Sequence, residues 1–199
     1  MFTDIEAQRI SDFHDRCTSR KGWARELPPQ HNDGVWKYIE LNHRFNSLLW
    51  EEEDQVRRRD VADSEIAANK RAIDGFNQKR QDAIERIDEE LLARLSGVQP
   101  AAEAWQNSET AGSMTDRLLI LSLKIHSMQL QTQRTDASAE HLQACREKLR
   151  ILVAQRSDLQ RCLDRLLADA MKGRAFFKVY RQFKMYNDPT LNPYLYGKK

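Results

Sequence analysis

Residues 65–95 read EIAANKRAIDGFNQKRQDAIERIDEELLARL, a run without proline. Its large apolar side chains recur three, four, seven or eight positions apart, which is the spacing of one face of an α-helix. They are Ile66, Ile73, Phe76, Ile84, Ile87, Leu91 and Leu95. At ~1.5 Å per residue this helix is about 45 Å long. A helix of that length with one apolar stripe needs partner helices, which predicts an all-α bundle.

Similar helical patterns extend on both sides of this stretch. Two of the breaks between them contain proline, glycine and asparagine, and the other two are short turns. The patterns cover residues 3–19, 35–59, 113–134 and 138–172. Thr3-x-x-Glu6 and Ser113-x-x-Asp116 have the pattern of helix N-terminal caps. No segment is typical of a strand. We therefore expect a single all-α domain over residues 1–199, with long antiparallel helical hairpins forming a four-helix-type bundle and extra terminal helices.

A faint internal repeat supports two hairpins. A shift of 76 residues aligns residues 41–92 with residues 117–168. Under this shift Arg80 falls on Arg156 and Asp88 falls on Asp164. Because any two amphipathic helices align in part by chance, both a duplication and a coincidence stay open.

Composition limits the classes of function. The chain has 199 residues with 32 basic and 30 acidic side chains, and its net charge of +2 gives no general argument for nucleic acid. No apolar run has the length of a membrane span, and the N-terminus lacks the pattern of a signal peptide. The three cysteines are widely spaced, which argues against disulfides and structural zinc. We expect a cytoplasmic bacterial protein without a cofactor.

Arginines interrupt two of the apolar stripes. Arg80 lies in the middle of the stripe on the third helix, and Arg156 occupies the equivalent place on the fifth. Glu52 interrupts the apolar face of the second helix. A buried guanidinium needs a carboxylate or a bound anion. The sequence therefore predicts either a Glu52–Arg80 ion pair or a pocket in which Arg80 and Arg156 hold an anionic ligand near Glu52.

Further polar residues are weaker candidates for a site. Glu40-x-x-His43 has the spacing found in di-iron bundles, but the second such motif is missing, and we expect no metal. Asn107 and Glu109 precede the fourth helix, whose free N–H groups could bind an anion, and Asp116 lies in its first turns. Simple capping explains that segment equally well. The cations and aromatics of residues 172–186 fit either a nucleic-acid or membrane contact or a helix that docks on the bundle.

Three stretches resemble a family of bacterial proteins grouped as domain of unknown function 4254. They are HRFNSLLWEEED at 43–54, NSETAGSMTDRL with ILSLKI at 107–125, and YNDP with LNP at 186–193. Ala111 departs from the family pattern, which commonly has proline after Glu-Thr. The family brings no established activity. The resemblance implies at most an accessory role linked to cell-envelope glycan synthesis.

Two hypotheses for function follow. The first is a non-enzymatic or accessory protein that acts through protein contacts, as a homodimer or with another protein partner. It depends on Leu119, Leu123 and Leu130, which give the fourth helix a second apolar face that something must cover. The alternative is an enzyme or binding protein for a small anionic metabolite, with a buried Arg/Glu pocket.

Overall fold

The computed structural model describes residues 2, 4–182 and 184–197. Its helices are α1 (Ala7–Thr18), α2 (Gly34–Gln55), α3 (Asp63–Arg94), α4 (Ala111–Thr132), α5 (Ala139–Ala170) and α6 (Pro193–Tyr196). Two strands, β1 (Trp105–Asn107) and β2 (Ala175–Phe177), and a 3-10 turn at Met185–Asn187 complete it. The predicted all-α class is confirmed, because the helices pack on one another and carry the core.

Two antiparallel hairpins, α2–α3 and α4–α5, form the frame. In the first, Phe45 stacks on Phe76 and Glu52 accepts a hydrogen bond from Asn69, so higher numbers on one helix face lower numbers on the other. In the second, Arg156 reaches Ser122 at 3.3 Å. The structure reports no helix long and apolar enough to cross a membrane among the residues it describes.

The apolar core lies where α1 and the adjoining ends of both hairpins meet. Its fully buried side chains come from every long helix, which explains why one stripe per helix suffices. They include Ile10, Phe13, Ile39, Ile87, Leu91, Leu118, Leu163 and Leu166. Beyond this core, the first half of α5 is mostly exposed.

Side-chain hydrogen bonds hold the starts of three helices. α4 begins earlier than predicted, because Thr110 caps it by accepting a hydrogen bond from Ser113 N, so the expected cap at Ser113 is wrong. Ser138 caps α5 in the same way. The N-terminus of α1 is held from another helix, since Ala7 N donates to Asp164 at 2.8 Å. The capping box expected at Thr3 includes a residue outside the described part of the chain.

The expectation of no strand is wrong. β1 and β2 pair in parallel, with Trp105 opposite Ala175 and Asn107 opposite Phe177. Gly173, with φ of +67°, turns the chain after α5 so that Ala101 N can bond to its carbonyl. Phe183 lies outside the described residues. The part of the aromatic run before it, residues 175–182, is extended instead of helical. It buries Phe177, while Tyr180 is 75% exposed.

The second apolar face of α4 is largely covered within the chain. Leu119 is fully buried and Leu123 is 8% exposed, because α1 packs on α4. Leu130, beyond the end of α1, is 52% exposed. Of the apolar face of α4 that predicted a partner, only the end at Leu130 is exposed to solvent.

The two hairpins have matched dimensions. α2 and α4 each contain 22 residues, and α3 and α5 each contain 32. The two aligned aspartates also behave alike, because Asp88 accepts a hydrogen bond from Gly112 N at the start of α4 as Asp164 does from Ala7 N at the start of α1. These matches favour a duplication, which stays a prediction.

Candidate functional site

A buried carboxylate, Asp116, lies between the two hairpins. Asp116 is 5% exposed, and its Oδ1 accepts hydrogen bonds from Asn42 Nδ2 at 2.9 Å and Asn46 Nδ2 at 2.8 Å. The two asparagines are four residues apart and so share one face of α2. Sequence reasoning missed both, although their spacing on the inner face of α2 was a usable signal. These hydrogen bonds connect the α2–α3 hairpin to the first turns of α4.

Arg80 completes this cluster from α3. Its Nε lies 3.5 Å from Asp116 Oδ1, which is an ion pair without a hydrogen bond. The Arg80 side chain is 31% exposed and makes no hydrogen bond with any residue that the structure describes. A guanidinium has five N–H donors in a planar fork. Because Nε is buried and faces Asp116, the donors of Arg80 that can meet a ligand are those on its two Nη atoms.

That exposed side opens into a small polar pocket of about 260 Å³. One wall is a single face of α3, and the other is the segment after β2. The lining residues are Asp74, Asn77, Arg80, Gln81, Gln182, Lys184, Tyr186 and Asn187. Its formally charged lining residues are the cations Arg80 and Lys184 and one carboxylate, Asp74, which is paired with Lys70, so cations outnumber carboxylates. The pocket suits an anionic group surrounded by amide and phenol hydrogen-bonding groups.

The three stretches that carry the family resemblance meet here. Asn46 belongs to the first and bonds directly to Asp116 of the second. Tyr186 and Asn187 of the third line the pocket beside Arg80. Segments far apart in the sequence thus share one site, which we call the Arg80 pocket.

The expected Glu52–Arg80 ion pair is wrong. Glu52 is paired with Arg25 at 3.1 Å and accepts a hydrogen bond from Asn69 at 2.7 Å. In an antiparallel hairpin Glu52 faces Asn69, and Arg80 lies eleven residues further along α3, roughly 16 Å away at ~1.5 Å per residue. The register of the hairpin, which the stripe alone does not fix, explains the error.

Arg156 does not join the Arg80 pocket either. Its Nη1 lies 2.7 and 2.9 Å from the carboxylate oxygens of Asp15 and 3.3 Å from Ser122 Oγ. The two equivalent arginines therefore differ. Arg156 donates hydrogen bonds to the Asp15 carboxylate, whereas Arg80 forms only an ion pair with Asp116. The expectation of one pocket holding both is wrong.

Asn107 and Glu109 lie in a separate, larger groove of about 690 Å³ between α4 and α5. Asn107 Nδ2 donates to the backbone oxygen of Glu109, whose carboxylate pairs with Arg117 at 2.6 Å. The start of α4 is not open to an anion, because Gly112 N already donates to Asp88 at 2.6 Å. Burial raises the pKa of Asp88 to about 6 despite that hydrogen bond. The expected anion site at this helix end is therefore filled by an internal carboxylate.

Glu40 and His43 contact different residues. Glu40 pairs with Arg44 at 2.8 Å and accepts from the backbone N–H groups of Gln30 and His31. His43 is fully buried with its ring centroid 4.7 Å from that of His14. In the described part of the chain, no group of three or more histidine, cysteine, aspartate or glutamate residues could hold a metal ion.

Comparison with known proteins places these observations in a family. A family model described as protein of unknown function (DUF4254) matches residues 36–179. The chain belongs to this family. The match covers α2 through β2 and so includes Asn42, Asn46, Arg80 and Asp116. No curated protein and no solved structure gives a significant match.

Proposed function

We propose that this DUF4254 protein is an accessory binding protein that holds a small anionic ligand in the Arg80 pocket. The observation that carries the proposal is the state of the Arg80 guanidinium. It lies at a polar pocket, is fixed from behind by Asp116 at 3.5 Å, and has no hydrogen bond to the described residues. A guanidinium held in this way is prepared to accept a carboxylate or phosphate.

The rest of the pocket favours an anion that also carries hydroxyl groups. Lys184 adds a second cation on the opposite wall from Arg80. The amides of Asn77, Gln81 and Asn187 can both donate and accept hydrogen bonds, as hydroxyl groups require. A volume of about 260 Å³ limits the bound part to a small group. The link to glycan synthesis that the family resemblance implies makes a phosphorylated sugar the first organic probe.

The test is calorimetric titration at low ionic strength with inorganic phosphate, a hexose 6-phosphate and citrate. We expect binding by the wild type and a loss of at least about tenfold in affinity for Arg80→Met, since a hydrogen bond to a charged group contributes about 1.5–3 kcal/mol. Lys184→Met should weaken binding less. The matched control is Arg156→Met, which removes the same charge from the equivalent helix but leaves the pocket intact.

Two results would overturn the proposal. One is the absence of any heat or chemical-shift change with all three probes in a folded wild-type protein. The other is an equal loss of affinity in Arg80→Met and Arg156→Met, which would mean that net charge, and not this pocket, attracts the anions. Circular dichroism of each variant separates either result from unfolding.

As a second candidate, we propose that the α4–α5 hairpin contacts a second copy of the chain. Three of its apolar side chains stay uncovered, with Leu130 at 52%, Ile151 at 53% and Val153 at 45% exposure. Sedimentation velocity over a range of concentrations tests this. Ile151→Asp should shift a dimer toward monomer and Tyr180→Asp, outside the hairpin, should not. A wild-type monomer at every concentration contradicts the idea.

A further inference from the structure

A second groove, independent of the Arg80 pocket, lies between α2 and α4 at the end of α1. Its volume is about 350 Å³. Three walls form it: the end of α1 with the following turn, one face of α2, and the outer half of α4. The residues that shape its chemistry are Trp23, Ser47, Trp50, Asp54 and His126.

Ser47 is the first residue of this groove with an unsatisfied polar group. The residue is 8% exposed, yet its hydroxyl has no hydrogen-bond partner among the residues described. Buried hydroxyls in helices commonly bond to the carbonyl four residues earlier, as Thr18 does with His14 and Thr115 with Ala111. An unpaired buried hydroxyl carries a free-energy cost of about 1–3 kcal/mol. Its Oγ is enclosed, but the residue lines the groove, so a rotation about χ1 would bring the hydroxyl to a ligand there.

Trp50 is the second residue of note in this groove. Both tryptophans line the groove, but the Trp23 ring already packs against His43, with centroids 4.4 Å apart, and lies 5.0 Å from the Arg44 guanidinium. The half-buried Trp50 ring has no aromatic or cationic partner in the described part of the chain. An indole face is a large apolar platform, and rings that offer a flat C–H face or a π face bind well to it.

The groove is lined by charges of both signs. Besides His126, its formally charged lining residues are two cations and two carboxylates, namely Arg20, Lys21, Glu51 and Asp54. Their formal sum is zero, and Glu51 is paired with Arg25 at 2.9 Å, so the groove has no cluster of charges of one sign. Hydrogen-bond donors and acceptors are both present, which suits hydroxyl groups because each hydroxyl both donates and accepts.

We infer that this groove binds a neutral, polyhydroxylated ring, the chemistry of an uncharged sugar unit, stacked on Trp50 and hydrogen-bonded to Ser47. The apolar face of the ring covers the indole, and its hydroxyls meet Ser47, Asp54 and His126. A bound ring would give the Ser47 hydroxyl a hydrogen-bond partner.

The test is saturation-transfer difference NMR of the full chain with the methyl glycosides of glucose, galactose, mannose and N-acetylglucosamine. At least one should give a signal, and Trp50→Ala should raise its Kd at least about tenfold, which corresponds to ~1.4 kcal/mol. Ser47→Ala should raise the Kd several-fold and is small enough to leave the fold intact. The matched control is Trp105→Ala, because Trp105 is 39% exposed on β1, away from the groove.

The proposal is overturned if no glycoside gives a signal with the folded wild type, or if Trp50→Ala leaves the Kd unchanged. It is also overturned if inorganic phosphate displaces the glycoside competitively. Arg80→Met should leave glycoside binding unchanged, so this result and the test of the Arg80 pocket can fail separately.

Discussion

At Gly112 the backbone of α4 begins against the side of α3 with no room for a side chain. A Cβ on Gly112 would lie 2.6 Å from the carbonyl oxygen of Ile84 and 2.9 Å from the Asp88 carboxyl. The same closeness lets Gly112 N donate to Asp88 at 2.6 Å. Because glycine has no Cβ, α4 can approach α3 closely enough for this hydrogen bond. The contact also positions Asp116, which lies one turn later on α4.

Gly112→Ala should therefore destabilise the protein, and we expect a loss of about 1–3 kcal/mol in the free energy of unfolding, as for overpacking in a core. Urea denaturation followed by circular dichroism measures it. The control is Gly75→Ala in the middle of α3, where nothing lies within 4 Å of the added Cβ. That change should stabilise by about 0.5–1 kcal/mol because alanine favours the helix. Equal effects of the two changes would refute the close-approach explanation.

Sequence reasoning identified the unusual residues better than their partners. Arg80 and Arg156 were recognisable because a cation interrupts an apolar stripe, and both pair with carboxylates in the structure. Their partners, Asp116 and Asp15, lie on other helices. Which carboxylate meets a given arginine depends on the register and crossing of helices, and a periodic pattern does not contain that information.

The segment between α1 and α2 depends on one side chain of α2 for its conformation. Arg44 donates hydrogen bonds to the backbone carbonyls of Trp23, Ala24, Leu27 and Pro28. Its charge is balanced by Glu40, which in turn binds the N–H groups of Gln30 and His31. Although burial opposes it, hydrogen bonds from Arg44 and His31 hold the pKa of Glu40 below its ordinary value. This segment is an irregular loop shaped by a buried ion pair.

Arg44→Met should release the loop, because it removes the donor to four backbone carbonyls and leaves the buried Glu40 carboxylate without its arginine. Breaking such a pair costs about 3–5 kcal/mol. We expect faster tryptic cleavage after Arg20, Lys21 and Arg25, measured by mass spectrometry. Arg117→Met, which removes an exposed ion pair, should change neither stability nor cleavage measurably. Partial recovery in the double variant Glu40→Gln/Arg44→Met would identify the unpaired charge as the cause, and its absence would argue against that cause.

At the scale of elements, the helices were predictable and the strands were not. The long helices begin and end within a few residues of the predicted limits, because their stripes and breaks are local features. β1 and β2 are three residues each and exist only because Gly173 returns the chain beside residues 105–107. A pairing that short has no periodic signal of its own. The prediction of a docked helix for the aromatic run after α5 failed for the same reason, since its first residues form β2.

Across the whole molecule, the junction of α1 and α2 contains a buried histidine pair that links its stability to pH. His14 and His43 are both fully buried, and three of their four ring nitrogens have no partner among the described residues. Burial lowers the pKa of His43 to about 3 and that of His14 well below its ordinary value. Both rings are therefore neutral in the folded protein at pH 5–7, while in the unfolded chain they become protonated near pH 6.5.

The sign of the effect follows from proton binding. Below about pH 6.5 the unfolded state binds protons that the folded state excludes, so the free energy of unfolding falls by up to about 1.4 kcal/mol per pH unit for each histidine. Asp88 acts in the opposite direction. Because its pKa is raised to about 6, the folded state holds a proton there that the unfolded state releases, which restores part of the stability between pH 6 and 4.

A comparison of variants isolates the contribution of His43 from that of Asp88. We expect His43→Gln to reduce the proton uptake on unfolding near pH 5.5 by about one, because one of the two excluded protons is removed. The measurement is the slope of unfolding free energy against pH, from urea titrations between pH 5 and 8. His141→Gln, at an exposed site on α5, should leave that slope unchanged. Since the absolute stability of His43→Gln can shift for packing reasons, only the slope decides. An unchanged slope would mean that His43 is protonated in the folded protein, which requires an acidic or hydrated partner that the buried ring does not have.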